Sequence, residues 1–195
     1  GVWNDMNEPA VMEVPNKTFP MDVRHVYDGN PCSHRKAHNI YGTQMARATY
    51  HGVKRFTYPK RPFVITRSAY SGAQRYTSSW TGDNVATWEH LWLANIQVQR
   101  MSISGMGFTG SDIGGFAEQP TGELYARWIQ LGVFHPFCRT HSSGDHGNQE
   151  PWAFDEEVIN ITRKFVSLRY QLLPYLYTMF WQYIDYQYNT TPVKV

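Results

Sequence analysis

The sequence predicts an α/β fold of the (β/α)8 TIM-barrel class, of which this chain carries the C-terminal half, about strands 4 to 8. Short apolar runs alternate with stretches of helical periodicity, which is typical of parallel βαβ units. A polar cluster follows each predicted strand, as expected where catalytic groups sit at strand ends. About four or five such units are present, whereas a full barrel has eight in about 250 residues. We therefore expect the chain to belong to a longer polypeptide, or to pack against the missing N-terminal half of the barrel.

The first elements are a strand end, an insert and a helix. Val2-Trp3 is apolar and ends at a polar burst. Residues 9–38 are rich in Pro, Asn, Asp and Gly, and are predicted to form a long irregular loop insert. Residues 39–52 are predicted to be helical. Three apolar side chains are the candidates for burial in this helix: Ile40, Met45 and Ala48.

Two strands and a helix follow. Residues 63–66, Phe-Val-Ile-Thr, form an apolar run typical of a strand covered on both faces. Residues 79–81 are a shorter strand candidate. Thr87 is a candidate N-cap for a helix that Gly105 can end. The side chains at helical spacing in this helix are Trp88, Leu91, Trp92 and Ile96.

The remaining elements alternate in the same way. Residues 107–115 are predicted to be a strand that leads into a glycine-rich acidic loop, and residues 123–134 a helix. Residues 137–141 are a short strand or turn. A last helix over residues 157–186 contains Pro174, which is expected to kink or split it. Its predicted buried stripe is Ile161, Phe165, Leu168, Leu172, Leu176 and Met179.

Composition narrows the classes of function. The chain has 195 residues and a net charge of +2, without long runs of one sign, so neither nucleic acid nor an anionic membrane is expected as its main partner. No apolar stretch approaches the roughly 20 residues of a bilayer span. The two cysteines, Cys32 and Cys138, cannot form a disulfide scaffold and are expected to be free thiols. Aromatic residues make up 15%, which suits both sugar-binding walls and ordinary cores.

Four polar points recur at predicted strand ends: Asp5, Arg67, Asp83, and the pair Asp112 and His141. Carboxylates are costly to bury without partners, so those that follow apolar strands are candidates for chemistry. Two carboxylates facing each other across a barrel mouth are what glycoside hydrolysis requires, one to attack and one to donate a proton. Repulsion between them raises one pKa and keeps that group protonated. Arg67 or His141 can counter charge or bind a sugar hydroxyl.

Four segments, in order, resemble those of glycoside hydrolase family 31, the α-glucosidase family. Residues 3–9, Trp-Asn-Asp-Met-Asn-Glu-Pro, resemble its nucleophile motif. Arg67-Ser68 followed by residues 79–84, Ser-Trp-Thr-Gly-Asp-Asn, resembles its acid/base segment. Residues 110–116 and 136–141 resemble its next two active-site loops. Order and spacing agree along essentially the whole chain.

The resemblance implies a role for each matching residue. Asp5 corresponds to the nucleophile and Asp83 to the general acid/base. Arg67 and His141 match residues that hydrogen-bond the sugar. The positions that line the pocket are Trp3, Met6, Trp80, Asp112 and Phe116.

The mechanism that the resemblance implies is retaining and uses neither metal nor cofactor. Its two carboxyl groups stand about 5–5.5 Å apart, against about 6.5–9.5 Å in an inverting enzyme. The implied substrate is an α-glucoside oligosaccharide, cleaved at its terminal glucose. The family also uses an acidic residue and aromatics from earlier strands, which have no counterpart in this chain.

Several alternatives stay open. Asp112 can be purely structural, and Glu8 rivals Asp5, although a supporting role fits it better. Zinc is a weak alternative, because neither of two candidate groups matches a compact ligand pattern: Cys138, His141, Asp145 and His146, or His34 and His38. The activity can be that of an α-xylosidase or an α-transglucosylase of the same family. Outside that class, the chain can be an inactive barrel fragment that acts only in carbohydrate binding or assembly.

Overall fold

The computed structural model describes residues 1–189, with side-chain environments through residue 185. The chain forms two compact units, and the boundary between them lies between Trp80 and Thr81. Each unit contains parallel strands and helices, as expected for part of a (β/α)8 barrel.

The first unit contains a parallel sheet, a hairpin and a long helix. Its elements are β1 (Val2–Asn4), β2 (Arg24–Tyr27), β3 (Asn30–Ser33), α1 (His34–Thr57), β4 (Val64–Thr66) and β5 (Ser78–Trp80). β4 lies between β1 and β5 and pairs with both in parallel, with Trp3 opposite Ile65 and Thr66 opposite Ser79. All three residues of β4 are buried. This confirms the prediction of a strand covered on both faces.

The predicted insert contains regular structure. β2 and β3 form an antiparallel hairpin in which Tyr27 faces Asn30. The two turn residues, Asp28 (φ 47°) and Gly29 (φ 82°), both have positive φ, as a tight hairpin turn requires. α1 begins at His34 rather than at residue 39, so the prediction of an irregular loop through residue 38 is wrong. The Asp-Gly dipeptide is the local signal for this hairpin.

α1 packs closely on the residues that follow β4. A Cβ on Gly42 would lie 2.5 Å from the carbonyl oxygen of Ser68, so only glycine fits this approach. The Thr43 hydroxyl accepts a hydrogen bond from the backbone N–H of Tyr70 at 2.9 Å. Six residues further along the helix, the Asn4 side chain donates to the Thr49 hydroxyl at 3.0 Å. These contacts fix the ends of β1 and β4, where the polar clusters begin.

The described part of the second unit contains three α-helices, one short 3-10 helix (Pro151–Ala153) and three short strands. Its elements are α2 (Trp88–Ile103), β6 (Thr109–Gly110), β7 (Asp112–Ile113), α3 (Gly122–Gly132), β8 (Arg139–Thr140) and α4 (Glu156–Asn189). Thr87 caps α2, as predicted, and its hydroxyl accepts from the N–H of His90 at 3.2 Å. The buried cluster of this unit is Ala94, Ile113, Leu124, Tyr125, Trp128, Ile129, Val133 and Val158.

The predicted buried faces of α1, α2 and α4 are each wrong in part, and Ala48 of α1 is exposed. Trp88 and Trp92 are 52% and 68% exposed, and α2 instead buries its small residues Ala94 and Val98. α4 runs through Pro174 as one helix, so the proline does not split it. Its predicted stripe is only half-buried, and Met179 is 46% exposed. Of the helices in the described part of the chain, none is long and apolar enough to cross a bilayer.

Candidate active site

The first polar cluster centres on Arg67, at the end of β4. Its backbone N–H donates to the carbonyl of Asn4, which continues the β1–β4 pairing and brings Arg67 beside Asp5. The guanidinium Nε lies 3.2 Å from Asp5 Oδ1 and 2.8 Å from Glu8 Oε1. The Arg67 side chain is 18% exposed, whereas those of Asp5 and Glu8 are 35% and 38% exposed. One half-buried cation therefore serves two carboxylates.

Asp5 and Glu8 are held differently by this cation. Glu8 binds it through both oxygens, with Nη2 donating to Oε2 at 3.1 Å in addition to the Nε contact. Asp5 uses Oδ1 for the guanidinium and also accepts the N–H of Met6 there at 2.8 Å. Glu8 is thus committed to positioning Arg67, while Asp5 presents Oδ2 as its second oxygen. This difference favours Asp5 over Glu8 as the attacking group.

The turn after β1 is held in place by hydrogen bonds to β4 and to the residue that follows Arg67. Met6 has φ 57°, an uncommon conformation for a side-chain-bearing residue. Asn7 is fully buried, donates to the Thr66 hydroxyl at 2.8 Å and accepts from the Ser68 N–H at 3.1 Å. Because Asn7 ties this turn to β4, the Asp5 carboxylate is held at the edge of the sheet.

Aromatic and thioether groups adjoin the carboxylates. The rings of Trp3 and Trp80 make an edge-to-face contact with centroids 5.8 Å apart. Trp80 is buried, whereas Trp3 and Met6 are 44% and 40% exposed. Arg67 Nη2 lies 2.8 Å from the Met6 sulfur. Trp3 and Met6 therefore present exposed apolar surface close to Asp5 in sequence, and an exposed aromatic ring is suited to stacking on a sugar.

The second polar cluster lies in the second unit, on the turn that carries Asp83. Gly82 has φ 81°, and Asp83 is exposed. Asn84 is buried, accepts from the Thr81 hydroxyl at 2.8 Å, and through its carbonyl accepts the N–H of Phe116 at 2.7 Å. The turn is therefore anchored on both sides of an exposed carboxylate.

Phe116 and His141 form a pair next to this turn. Their rings are 5.3 Å apart between centroids and tilted by 35°. The Phe116 carbonyl accepts the N–H of Ser143 at 2.9 Å, which ties together the loops that carry the two rings. Both side chains are half-buried. An imidazole on an aromatic face beside an acidic turn can bind a hydroxyl-rich ligand.

Asp112 and Arg139 form an ion pair that sequence reasoning did not identify. Asp112 Oδ1 accepts from Arg139 Nη2 at 2.6 Å, and the Asp112 side chain has no exposed surface. Its burial favours the structural alternative for Asp112 over a position on the pocket wall. A buried carboxylate needs a cation, but no local sequence signal identifies Arg139 as that cation, because the two residues are 27 positions apart.

The predicted site residues fall into two groups, one in each unit. The first unit brings together Trp3, Asp5, Met6, Arg67 and Trp80; the second carries Asp83, Asp112, Phe116 and His141. The expected separation of the Asp5 and Asp83 carboxyl groups stays a prediction. Within residues 1–189, no group of three or more His, Cys, Asp or Glu side chains is arranged for a metal ion.

Two further titratable groups in the second unit respond to burial. Burial, with a smaller effect of Arg169, lowers the pKa of His135 to about 4. Burial also raises the pKa of the Cys138 thiol. His135 is therefore neutral near pH 7, and Cys138 stays a protonated thiol, which argues against reactivity at that cysteine.

Known proteins resemble this chain along most of its length. The model of the glycosyl hydrolases family 31 TIM-barrel domain matches residues 1–179. "Alpha-glucosidase 2" of Bacillus thermoamyloliquefaciens is 49% identical over 182 residues, which cover 92% of this chain and 23% of that protein. "Glucosidase 2 subunit alpha" of Saccharomyces cerevisiae is 47% identical, over 92% of this chain and 19% of its own length.

Solved structures agree with these sequence matches. A glucosidase II alpha subunit crystallised with Glc1Man2 superimposes with a TM-score of 0.87 at 40% identity, over 93% of this chain and 20% of that one. A family 31 dextranase of Flavobacterium johnsoniae, complexed with glucose, gives 0.77 at 32% identity, over 91% of this chain and 22% of that one. The chain thus spans about a fifth of the length of such relatives. It belongs to glycoside hydrolase family 31 and carries part of that family's TIM-barrel domain.

Proposed function

We propose that this member of glycoside hydrolase family 31 supplies active-site residues to a retaining, exo-acting α-glucosidase. The substrate is an oligosaccharide that ends in an α-linked glucose. Because the chain spans about a fifth of its relatives' length, the rest of the site comes from the remainder of a longer polypeptide.

The proposed reaction is a double displacement. Asp83 donates its proton to the glycosidic oxygen while Asp5 Oδ2 attacks the anomeric carbon from the opposite face. The aglycone leaves and a covalent β-glucosyl ester on Asp5 remains. Asp83, now ionised, takes a proton from water, which attacks the ester and releases glucose in the α configuration. Each displacement inverts the configuration of the anomeric carbon, so the two together retain it. Neither step requires a redox partner or a cofactor.

The surrounding residues have supporting roles in this proposal. Arg67 and His141 donate hydrogen bonds to hydroxyls of the bound glucose. Glu8 keeps the Arg67 guanidinium in place through its two-oxygen contact. Trp3 offers its exposed ring to the sugar, and the buried Trp80 supports that ring through the edge-to-face contact.

One observation carries the proposal: Arg67 Nε contacts Asp5 Oδ1 while Glu8 holds the same guanidinium through both oxygens. This arrangement presents one aspartate oxygen beside a hydrogen-bond donor for sugar, within the segment that matches the family.

Hydrolysis of an aryl α-glucoside by the full-length polypeptide tests the proposal. We expect Asp5→Ala to reduce kcat by about 10³-fold or more, since the attacking group is lost. Asp22→Ala is the matched control, because Asp22 is an exposed acid of the same unit. Full activity of Asp5→Ala would contradict the assignment. Proton NMR of the first product must show α-glucose, and β-glucose appearing first would contradict retention.

The acid/base assignment has its own test. Asp83→Ala is expected to slow substrates with poor leaving groups most, because these need the proton in the transition state. Asp145→Ala, which removes an exposed acid of the same unit, is the control. An equal loss across a series of aryl leaving groups would exclude Asp83 as the proton donor. Parallel assays with an aryl α-xyloside measure whether the polypeptide hydrolyses xylosides, as the α-xylosidase alternative requires, rather than glucosides.

A further inference from the structure

The Asp112–Arg139 ion pair is the most strongly buried charge pair in the part of the second unit that the structure describes. Asp112 has no exposed surface and the Arg139 side chain is 22% exposed. Taking a carboxylate out of water is expensive, and removing its cation leaves the charge uncompensated. The pair therefore constrains the two strands that carry it.

The pairing of the two strands connects the ion pair to His141. β7 and β8 are parallel, with Asp112 opposite Arg139 and Ile113 opposite Thr140. His141 is the next residue after β8. The guanidinium of Arg139 also lies over the Phe137 ring, 5.1 Å from its centroid. Arg139 is thus held on two sides, two residues before His141.

The other partner of the pair constrains Phe116. The Asp112 carbonyl accepts the N–H of Gly115 at 3.1 Å, which closes a turn in which Gly114 and Gly115 have φ of 91° and 90°. A Cβ on Gly115 would lie 2.6 Å from the backbone of Ala86, so the turn is closely packed. Phe116 follows directly and contacts the His141 ring.

These links form a closed ring of contacts. From Asp112 the path runs through the glycine turn to Phe116, across the ring contact to His141, and back through β8 to Arg139 and the ion pair. We propose that Asp112 and Arg139 are positioning residues that set His141 and Phe116 for glucose binding, without contacting the sugar. This inference rests on the proposed function.

A double-mutant cycle on the full-length polypeptide tests the proposal, with the inhibition constant of a glucose-shaped iminosugar as readout. We expect Asp112→Asn to weaken binding by about 10- to 100-fold, the size of effect that small misplacements produce. In a His141→Ala background the same substitution should weaken binding by a clearly smaller factor, because only the part of its effect that passes through Phe116 remains. Equal losses in both backgrounds, or no loss at all, would overturn the proposal.

Two further variants separate positioning from general stability. Arg139→Lys keeps the charge but replaces the planar guanidinium fork, and is expected to weaken binding less than Asp112→Asn does. Glu123→Gln removes an exposed, 4.0 Å surface ion pair with Arg127 and is the matched control. Thermal unfolding of each variant identifies any that fail to fold. If Asp112→Asn fails to fold, Arg139→Lys takes its place in the double-mutant cycle. Equal losses in the wild-type and His141→Ala backgrounds, or no loss at all, would again overturn the proposal.

A second readout does not depend on binding. The imidazole carbon resonances of His141, assigned with a His141→Gln variant, are expected to shift in Asp112→Asn and Arg139→Lys but not in Glu123→Gln. Unmoved resonances in the folded pair variants would overturn the positioning role. A wild-type polypeptide that neither binds the iminosugar nor hydrolyses α-glucosides, but whose resonances shift as expected, would instead refute the proposed function alone.

Discussion

Acidification should destabilise the second unit through His135. This residue follows α3, is 5% exposed, and neither ring nitrogen has a hydrogen-bond partner among the described residues. The carbonyls of Val133, His135 and Pro136 all accept from the guanidinium of Arg169, at 2.6, 2.7 and 2.9 Å. The imidazole is therefore buried beside a fixed cation, and both features disfavour its protonation.

The size of the effect follows from the shift in the His135 pKa. That pKa falls from 6.5 in a solvated chain to about 4 in the fold. Between these values the unfolded chain binds a proton that the folded chain does not. The contribution of His135 to the free energy of unfolding is therefore fully present above pH 6.5 and is lost as the pH falls toward 4. At about 1.4 kcal/mol per pH unit, the full loss is about 3 kcal/mol.

Urea unfolding at a series of pH values between 7.5 and 4 measures this effect. The free energy of unfolding of His135→Leu, relative to wild type, should rise by about 3 kcal/mol across that window. Carboxylates that titrate in the same range are common to both proteins and cancel in the difference. His146→Leu, which changes an exposed histidine of the same unit, is the control. If the difference in the free energy of unfolding between His135→Leu and wild type stays constant from pH 7.5 to 4, the reasoning is refuted.

Four other substitutions have defined outcomes. Gly110→Ala should destabilise the fold by several kcal/mol, because the new Cβ would overlap the carbonyl oxygen of Phe137. Gly52→Ala, within α1 and with no atom within 4 Å of the new Cβ, should stabilise by about 1 kcal/mol, and thermal unfolding measures both. Arg169→Met leaves three carbonyls without their donor and should cost about 3 kcal/mol or more, again read from unfolding curves. Glu8→Gln should lower kcat/KM about 10-fold or more by loosening Arg67, and an unchanged value would exclude a positioning role for Glu8.

Local chemistry made several elements predictable from the sequence. Thr87 is an N-cap because its hydroxyl can satisfy a free backbone N–H at the start of α2. β4 is recognisable because a strand covered on both faces is continuously apolar. The placement of Arg67 at a strand end follows from the same pattern, because a polar residue directly after a buried strand marks the carboxyl end of that strand. Asp5 also follows a strand, but Val2 and Trp3 of β1 are exposed.

Other features depend on tertiary contacts that periodicity does not encode. Trp88 and Trp92 fit the helical spacing, yet α2 buries Ala94 and Val98, because close packing selects small residues there. The Arg139 partner of Asp112 depends on the pairing of β7 with β8, across 27 positions of the chain. No local pattern gives that pairing.

The central claim is that Asp5 attacks the anomeric carbon. Incubating the full-length polypeptide with a 5-fluoro-α-glucosyl fluoride, which slows release of the covalent intermediate, followed by digestion and mass spectrometry, tests it most directly. The account predicts one added fluoroglucosyl group, which fragmentation of the labelled peptide places on Asp5 rather than on Glu8, and none in Asp5→Ala. A label on Glu8 or on any other carboxylate, in a polypeptide that turns over α-glucosides, would contradict it.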